Sequence, residues 1–357
     1  MKFILTGGFL GSGKTTAIVA AAQLLLSQHK KVAVITNDQG DQQVDGGFVK
    51  SFDIPTREVS NGCFCCNYYQ LDAHLESLQY QDQPNIIFAE SVGSCADLIA
   101  TVAKPLSSLR EDLEIVITIF ADAELLLSMI EGRATFTEES IRYIYKKQLE
   151  EADLLILNKT DLLEPHQLTK VDALIQSEYP GKIILHQNSL TKEGIASWVN
   201  ALENFKPEKR ASLAIDYNIY AEGESKLAWL DKSITVITTQ GNAMDVVSRI
   251  VGSIFDQIQS NRFVIGHLKF LVETESTKEK ISFTTTSTSA DVTLKRQDTN
   301  FVKLLINARV ETNPEALEKL VDGILIKIEE TCSCTIASYR WSVFRPEYPR
   351  PIHRIDL

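Results

Sequence analysis

The chain has 357 residues, of which 44% are hydrophobic and 23% charged, and its net charge is −11 at pH 7. This length suits a large domain plus a smaller one, and this composition excludes wholesale disorder. The acidic surface argues against nucleic acid as a partner, because sequence-independent binding needs Lys and Arg against phosphates. No apolar run is long enough to span a membrane. The chain enters a short strand-like run after Met1 rather than a secretory signal core, so we expect a cytoplasmic protein with reduced thiols.

The first part of the chain alternates short β-rich runs with helical stretches. Several of the runs are almost continuously apolar, as in strands that are buried on both faces. This pattern predicts an α/β fold, with a mostly parallel sheet and helices on both faces, over residues 1–205. The predicted strands are Lys2–Thr6, Val32–Thr36, Asn85–Ala89, Glu114–Phe120, Asp153–Leu157 and Lys182–His186.

A glycine-rich segment between the first strand and the first helix matches G-x-x-x-x-G-K-[ST]. In such a loop, backbone N–H groups and the helix N-terminus bind phosphates. We expect Lys14 to reach the β- and γ-phosphates and to act in catalysis, and Thr15 to ligate Mg²⁺. The segment predicts a P-loop NTPase domain. Its predicted nucleotide contacts are Gly8, Gly11, Ser12, Gly13, Lys14, Thr15 and Thr16.

Acidic residues follow two strands that should end at the same edge of the sheet. Asp38 and Asp41 come just after the second strand, and Glu90 ends a later one. We expect Glu90 to support the Mg²⁺ shell and Gly93 to donate its N–H to the γ-phosphate. Asp38 and Asp41 are candidates for binding Mg²⁺, for binding a second metal or for positioning the attacking water. The alternative for both aspartates is a polar turn.

Three of the six cysteines lie within four residues, at Cys63, Cys65 and Cys66. Thiolates bind soft and borderline metals such as Zn²⁺, Cu⁺, Co²⁺ and Ni²⁺. Three sulfurs with a carboxylate or a His would complete a tetrahedral site. We therefore predict a metal site here; the alternative is a redox pair of Cys63 and Cys66, whose C-x-x-C spacing normally accompanies a thioredoxin-like context. Cys95 is interpreted as a small buried hydrophobe.

The tetrad Asn158-Lys159-Thr160-Asp161 follows another apolar strand. The Asp161 carboxylate can accept hydrogen bonds from N1–H and the 2-amino group of guanine, which adenine cannot supply in that geometry. Asn158 can bond the acceptor edge of the base, and the stem of Lys159 can lie over the ring. Ser189 is a weaker candidate for a base contact, and a plain loop fits there equally well. The tetrad predicts GTP and GDP as the nucleotides and argues against a small-molecule kinase.

The remainder of the chain predicts a linker at residues 206–232 and a smaller α+β domain at residues 233–357. An apolar stripe beginning at Val246 predicts one helix, and Asn313-Pro314 begins another. Cys332 and Cys334 are interpreted as half-buried strand-end residues, with an accessory metal site as the alternative. The C-terminal tail is locally basic, with Arg345, Arg350, His353 and Arg354. We expect this tail to be frayed, with docking to an acidic partner as the alternative. The predicted strands are Ser233–Thr239, Phe263–Glu273, Ile281–Thr286, Phe301–Arg309 and Ala337–Phe344.

These motifs together resemble the CobW-like metal-chaperone GTPases, which are relatives of the nickel-insertion GTPases for urease and hydrogenase. The resemblance implies slow GTP hydrolysis, stimulated by metal or a partner, and GTP-dependent binding and release of a metal at the C-x-C-C loop. It implies Zn²⁺ first, with Co²⁺ or Ni²⁺ as alternatives. It also implies delivery to a client metalloprotein or to the assembly of a cobalamin-type cofactor, and it leaves a homodimer open. The matching segments are Gly7–Thr16, Asn61–Cys66, Glu90–Gly93 and Asn158–Asp161.

By motif position, Cys65 and Cys66 look like the metal ligands of this family, with Cys63 in the same loop. The loop after the second strand departs from the family pattern E-N-E-F-G-E. Thr36 replaces an acid that can ligate metal, while Asp38 and Asp41 keep carboxylates one methylene shorter. The metal geometry of the family therefore need not hold here. The alternative function is a regulatory GTP-binding switch in which the cysteine loop holds a structural zinc ion.

Overall fold

The computed structural model describes residues 1–40, 43–133, 136, 138–290 and 294–356. The chain forms two compact units. The first consists of Met1–Gln39, Phe52–Gly223 and Tyr348–Leu357, and the second of Gly40–Ser51 and Glu224–Glu347. Asp41, a candidate for catalysis and metal binding, lies outside the described residues.

Within the described ranges, no helix is both long enough and apolar enough to cross a membrane.

The first unit contains a seven-stranded parallel sheet, in the order β3-β2-β4-β1-β5-β6-β7. Every residue of β2, β4 and β6 is buried, because helices cover both faces of a parallel sheet. The predicted α/β fold class and all six predicted strands are confirmed. The sequence missed β3, which is four residues long and has only one apolar residue. The strands are β1 (Lys2–Gly8), β2 (Val32–Asn37), β3 (Thr56–Val59), β4 (Ile86–Glu90), β5 (Glu114–Asp122), β6 (Leu154–Asn158) and β7 (Ile183–Gln187).

The helices between these strands complete the first unit. A π-helical turn at Ile99–Ala103 precedes α4, and a 3₁₀ turn at Thr160–Leu162 follows β6. The predicted linker at 206–232 contains α9 and the first residues of the next strand. The helices are α1 (Lys14–Ser27), α3 (Tyr68–Gln81), α4 (Lys104–Leu109), α5 (Ala123–Ile130), α6 (Glu139–Glu150), α7 (Pro165–Glu178), α8 (Ile195–Asn204) and α9 (Tyr217–Ser225), while α2 (Val44–Lys50) belongs to the second unit.

The second unit is a five-stranded antiparallel sheet, in the order β10-β9-β11-β8-β12, with α10 and α11 packed on it. The predicted α+β pattern of helices and strands is confirmed, with ends that differ by a few residues. Its elements are β8 (Leu227–Thr238), α10 (Ala243–Ser260), β9 (Val264–Glu273), β10 (Lys278–Thr284), β11 (Phe301–Glu311), α11 (Pro314–Thr331) and β12 (Cys334–Phe344).

Helix α2 packs in the second unit although it lies between β2 and β3 in the chain. Its Val44 N–H donates to Asn307 Oδ1 at 2.9 Å. Its Asp45 carboxylate accepts hydrogen bonds from the ammonium groups of Lys269 and Lys280. Burial alone would raise the pKa of Asp45, but the charges of the two lysines outweigh it and hold that pKa well below its usual value. The segment that leaves the end of β2 is therefore anchored by charge and hydrogen bonding within the second unit.

Candidate functional site: a P-loop and a thiol cluster

The glycine-rich loop joins β1 to α1, as predicted. Gly8 and Gly13 have φ of +124° and +89°, in the region that favours glycine. A Cβ on Gly13 would lie 2.2 Å from Asn158 Nδ2, and one on Gly8 would lie 2.2 Å from Phe120 O. The buried ammonium of Lys14 donates to Gly8 O at 2.7 Å. The backbone of the loop thus follows a path that larger residues could not adopt at these positions.

The predicted Mg²⁺ residues lie together at the carboxyl end of the sheet. The Thr15 hydroxyl donates to Glu90 Oε1 at 2.9 Å, and both side chains are buried. In the parallel register, Glu90 is paired with Thr6 on β1 and with Thr36 on β2. A Cβ on Gly93 would lie 2.7 Å from Leu10 Cδ2, so the segment after β4 runs directly against the phosphate loop.

Asp38 follows β2 at the same edge and is half-buried. Its N–H donates to Val59 O on the neighbouring strand at 3.2 Å. The structure therefore fixes the backbone at Asp38. Its predicted role in metal binding or water positioning stays a prediction, as does that of Asp41.

Residues of the tetrad contact the phosphate loop. Asn158 Nδ2 donates to Ser12 O at 2.7 Å, and Asn158 Oδ1 accepts from the N–H and the hydroxyl of Ser189 at 3.1 and 2.8 Å. Lys159 Nζ donates to Asp122 Oδ2 at 2.5 Å, which fixes the direction of its stem. The side chain of Asp161 is exposed. Asp122 was missed by the sequence analysis, although it ends a strand and caps α5 as Asp commonly does.

The three predicted thiols form one cluster. Cys63 Sγ lies 2.8 Å from Cys65 Sγ and 3.3 Å from Cys66 Sγ, and the latter two sulfurs are 3.8 Å apart. Sulfurs around a tetrahedral Zn²⁺ are about 3.8 Å apart, because the Zn–S bond is about 2.3 Å long. The cluster can therefore take one metal ion with only a small outward movement of Cys63. Cys63 and Cys65 are buried, and Cys66 is half-buried.

The thiols differ in their tendency to ionise. Hydrogen bonds with the thiols of Cys65, Cys66 and Cys95 hold the pKa of Cys63 well below its usual value. The same contact with Cys63 raises the pKa of Cys66 to about 11. Since the thiolate is the form that binds metal, the contacts among these sulfurs favour an ionised thiol within the cluster.

Asn37, the last residue of β2, holds the cysteine loop against the sheet. Its Nδ2 donates to Gly62 O at 2.7 Å and to Val59 O at 3.1 Å, and its Oδ1 accepts from Phe64 N at 2.9 Å. The neighbouring residue Thr36 is in register with Glu90. A short path of contacts thus connects the phosphate loop with the thiols. The sequence analysis assigned no role to Asn37, because a bonding partner distant in sequence leaves no local signal.

The C-terminal tail lies across the cysteine loop, and the expectation of a frayed tail is wrong. Ile352 N donates to Cys65 O at 2.9 Å. Arg354 Nε donates to Asp97 Oδ2 at 2.8 Å, and the His353 ring meets the Tyr68 ring edge to face at 4.7 Å. Hydrogen bonds to buried partners, which the basic composition of the tail does not predict, hold it in place.

In the second unit, the remaining thiol pair is half-buried. Cys332 follows α11 and Cys334 begins β12, as the strand-end interpretation predicts. Among the described residues, Cys63, Cys65 and Cys66 form the one group of three close metal-ligating side chains.

A buried acid supports the segment that follows β4. Glu151 Oε1 accepts from Ile99 N at 2.9 Å, and the side chain is almost completely buried. Burial is the main reason why the pKa of Glu151 is raised to about 8, and the nearby charge of Asp97 raises it further. The folded protein therefore favours a protonated Glu151 behind this segment at neutral pH.

Residues 2–185 match the family model described as the CobW/HypB/UreG nucleotide-binding domain. The chain is 30% identical over 213 residues to the zinc chaperone YeiR of Escherichia coli (strain K12), covering 54% of this chain and 59% of that protein. It is 27% identical over 186 residues to the zinc chaperone CobW of Sinorhizobium sp, covering 46% and 52%. It is 29% identical over 202 residues to the hydrogenase maturation factor HypB of Azotobacter chroococcum mcd 1, covering 54% and 56%. The match thus spans 52% to 59% of the length of these relatives.

Replacing Glu151 by Gln should change how stability depends on pH. The unfolded chain releases this proton near the ordinary value of 4.5, whereas the folded protein keeps it up to about 8. The contribution of Glu151 is therefore complete below pH 4.5 and is lost as pH rises through 8, a change on the order of 3–5 kcal/mol. In urea titrations from pH 5 to 9, E151Q should lose less stability than the wild type. The matched control is E150Q, which alters the half-buried neighbour; parallel curves for wild type and E151Q would contradict the assignment.

Proposed function

The chain belongs to the CobW/HypB/UreG family of nucleotide-binding domains, and on that basis we propose that it is a GTP-hydrolysing metallochaperone. In this proposal Cys63, Cys65 and Cys66 bind Zn²⁺ as cargo, and the protein releases the ion to a client metalloprotein or to a cofactor-assembly enzyme. The observation that carries the proposal is the thiol cluster at the same sheet edge as the phosphate loop.

Guanine specificity is supported by the contacts of the tetrad. Asn158 is fixed between Ser12 of the phosphate loop and Ser189, so its amide has a defined orientation at the nucleotide edge. The exposed carboxylate of Asp161 can accept two hydrogen bonds from guanine. Lys159 is held by Asp122, which leaves its stem to cover the base.

The oxygen atoms at Thr15 and Glu90 fit Mg²⁺, which prefers hydroxyl and carboxylate oxygens. We propose that Thr15 ligates this ion and that Glu90 supports its shell. When bound, Mg²⁺ would neutralise phosphate charge. Lys14 would add a positive charge at the β- and γ-phosphates, Gly93 would donate its N–H to the γ-phosphate, and Asp38 would position water.

Zn²⁺ as cargo is supported by the sulfur chemistry and by relatives that are themselves named zinc chaperones. Co²⁺ and Ni²⁺ are the alternatives that a metal competition would separate. The spacing of the sulfurs suits a tetrahedral ion. The half-buried Cys66 gives one side from which a client thiol could approach.

A regulatory switch with a structural zinc ion is the second candidate. It is favoured by the burial of Cys63 and Cys65 and by the tail that lies across their loop, since both would hinder release. The two proposals differ in what happens to the fold when the metal is removed.

Replacing Asp161 by Asn should shift the preferred base from guanine towards xanthine. The amide loses one of the two acceptor contacts to guanine, and a hydrogen bond to a charged group contributes about 1.5–3 kcal/mol, so the affinity for GTP should fall by at least about tenfold. Xanthosine triphosphate carries a carbonyl where guanine has the amino group, so the Asn amide should bind it better than the wild type does. Titration with fluorescent nucleotides measures both affinities. The control is D172N, a half-buried acid of α7 that bonds His186; an unchanged GTP affinity in D161N would contradict the guanine assignment.

Replacing Cys66 by Ser should weaken Zn²⁺ binding by at least about 100-fold, because loss of an outer-shell partner alone costs about 10–100-fold. The wild type, purified without oxygen, should bind one Zn²⁺ per chain, measured by competition with a coloured chelator. The control is C334S, a half-buried thiol of the second unit, which should bind like the wild type.

Removal of the metal from the wild-type protein distinguishes a cargo ion from a structural ion. A strong chelator should remove the Zn²⁺ while the circular dichroism spectrum stays that of a folded protein. Unfolding on chelation would support the structural-zinc alternative and contradict delivery.

A further inference from the structure

Cys95 is a fourth cysteine beside the thiol cluster. It is 2% exposed, and its thiol is hydrogen-bonded to the Cys63 thiol. Its N–H donates to Val92 O at 3.0 Å, and its carbonyl accepts from Gln148 Nε2 at 2.8 Å. Because both backbone groups are bonded, the chain at Cys95 has a defined position in which its thiol meets that of Cys63. The interpretation of Cys95 as a small hydrophobe accounts for its burial and gives no reason for the sulfur–sulfur contact.

The thiol cluster supplies three ligands, whereas a tetrahedral Zn²⁺ takes four. Among the described residues, no His or carboxylate belongs to the group formed by Cys63, Cys65 and Cys66. Thr36, at the end of β2, offers a hydroxyl, which is a weaker zinc ligand than a thiolate. Of the sulfurs in the first unit, Cys95 is the one that remains.

We propose that Cys95 is the fourth ligand, so that Cys63, Cys65, Cys66 and Cys95 bind Zn²⁺ as a four-sulfur site. This inference rests on the proposed function as a zinc carrier, and it adds the residue that completes the site.

For one ion to bind all four sulfurs, the sulfur of Cys95 must move closer to those of the other three cysteines. Cys95 contacts Cys63 but does not lie within 4.8 Å of all three of the other sulfurs. The two groups are on separate loops, since Cys95 follows β4 whereas the other three lie between β3 and α3. A zinc ion bound to both loops therefore joins two strand ends of the sheet.

The position of Cys95 connects the metal with the nucleotide. It is two residues after Gly93, which lies against Leu10 of the phosphate loop. Any movement of this segment that depends on the γ-phosphate would move the Cys95 sulfur as well. With Cys95 bound, the ion is fully enclosed by sulfur; with Cys95 withdrawn, three sulfurs and an open position remain. An open position is what allows another ligand to attack a zinc ion, so Cys95 would decide when cargo can pass to a client thiol.

The test counts sulfur ligands with Co²⁺ as the probe, in the full-length protein without oxygen and with a non-hydrolysable GTP analogue and Mg²⁺. Absorption from sulfur-to-cobalt charge transfer grows with the number of thiolates, and the intensity of the visible bands reports tetrahedral geometry. Per bound Co²⁺, C95S should lose about one quarter of the charge-transfer absorption, because one sulfur in four is removed. Its Zn²⁺ affinity should fall by at least about tenfold. C334S is the matched control and should equal the wild type in both measurements.

A second variant, C95A, covers the case in which a buried serine prevents folding, and circular dichroism checks the fold of each variant. Charge-transfer absorption and Zn²⁺ affinity equal to those of the wild type, in either folded variant, would overturn the assignment of Cys95 while leaving the three-sulfur carrier intact. A change in the visible bands with D41N but not with C95A would also overturn it, by placing an oxygen ligand in the fourth position. If the wild type itself shows no charge-transfer absorption with Co²⁺ and binds no Zn²⁺, the proposed function fails, and this inference fails with it.

Discussion

A buried hydrogen bond from Thr15 to Glu90 joins the start of α1 to the end of β4. It lies at the edge of the parallel sheet on which the proposed nucleotide and metal chemistry depends. Parallel strands bring their carboxyl ends to one edge, so the phosphate loop, Glu90 and the end of β2 meet there. Asn37 extends this edge to the cysteine loop with two hydrogen bonds. Two binding functions can therefore share one rigid support while each is carried by a loop that can adjust.

The cysteine loop is held by backbone and side-chain hydrogen bonds that do not involve its sulfurs. Asn37 bonds to it from the sheet, and Ile352 of the tail bonds to Cys65 O. The thiols are thus positioned without being used for structure, which suits the proposed binding and release of an ion. Thiols are weak donors and acceptors, so their contacts with one another stabilise the loop little, whereas a metal ion would bond to all of them together.

The sequence predicted the parts of the fold and of the site that have local signals. Buried strands appear as apolar runs, and the phosphate loop, the tetrad and the C-x-C-C segment have fixed spacings, so the strands and the clustering of Cys63, Cys65 and Cys66 were predictable. The hydrogen bonds of Asn37, the contact of Cys95 with Cys63 and the placement of the tail were not, because the partners are distant in sequence. Helix α2 was assigned to the first domain by its place in the chain, whereas its charge pairing with Lys269 and Lys280 places it in the second unit.

The proposed metal-carrier cycle requires nucleotide and metal to be coupled through the shared sheet edge. The most direct measurement is the Zn²⁺ affinity of the wild type, determined by chelator competition at fixed Mg²⁺, once with a non-hydrolysable GTP analogue and once with GDP. Coupling free energies between sites are typically 1–3 kcal/mol, so we predict Zn²⁺ binding at least about fivefold tighter with the GTP analogue. By linkage, Zn²⁺ should tighten binding of the analogue relative to GDP by the same factor. Equal Zn²⁺ affinities in the two nucleotide states would contradict the account.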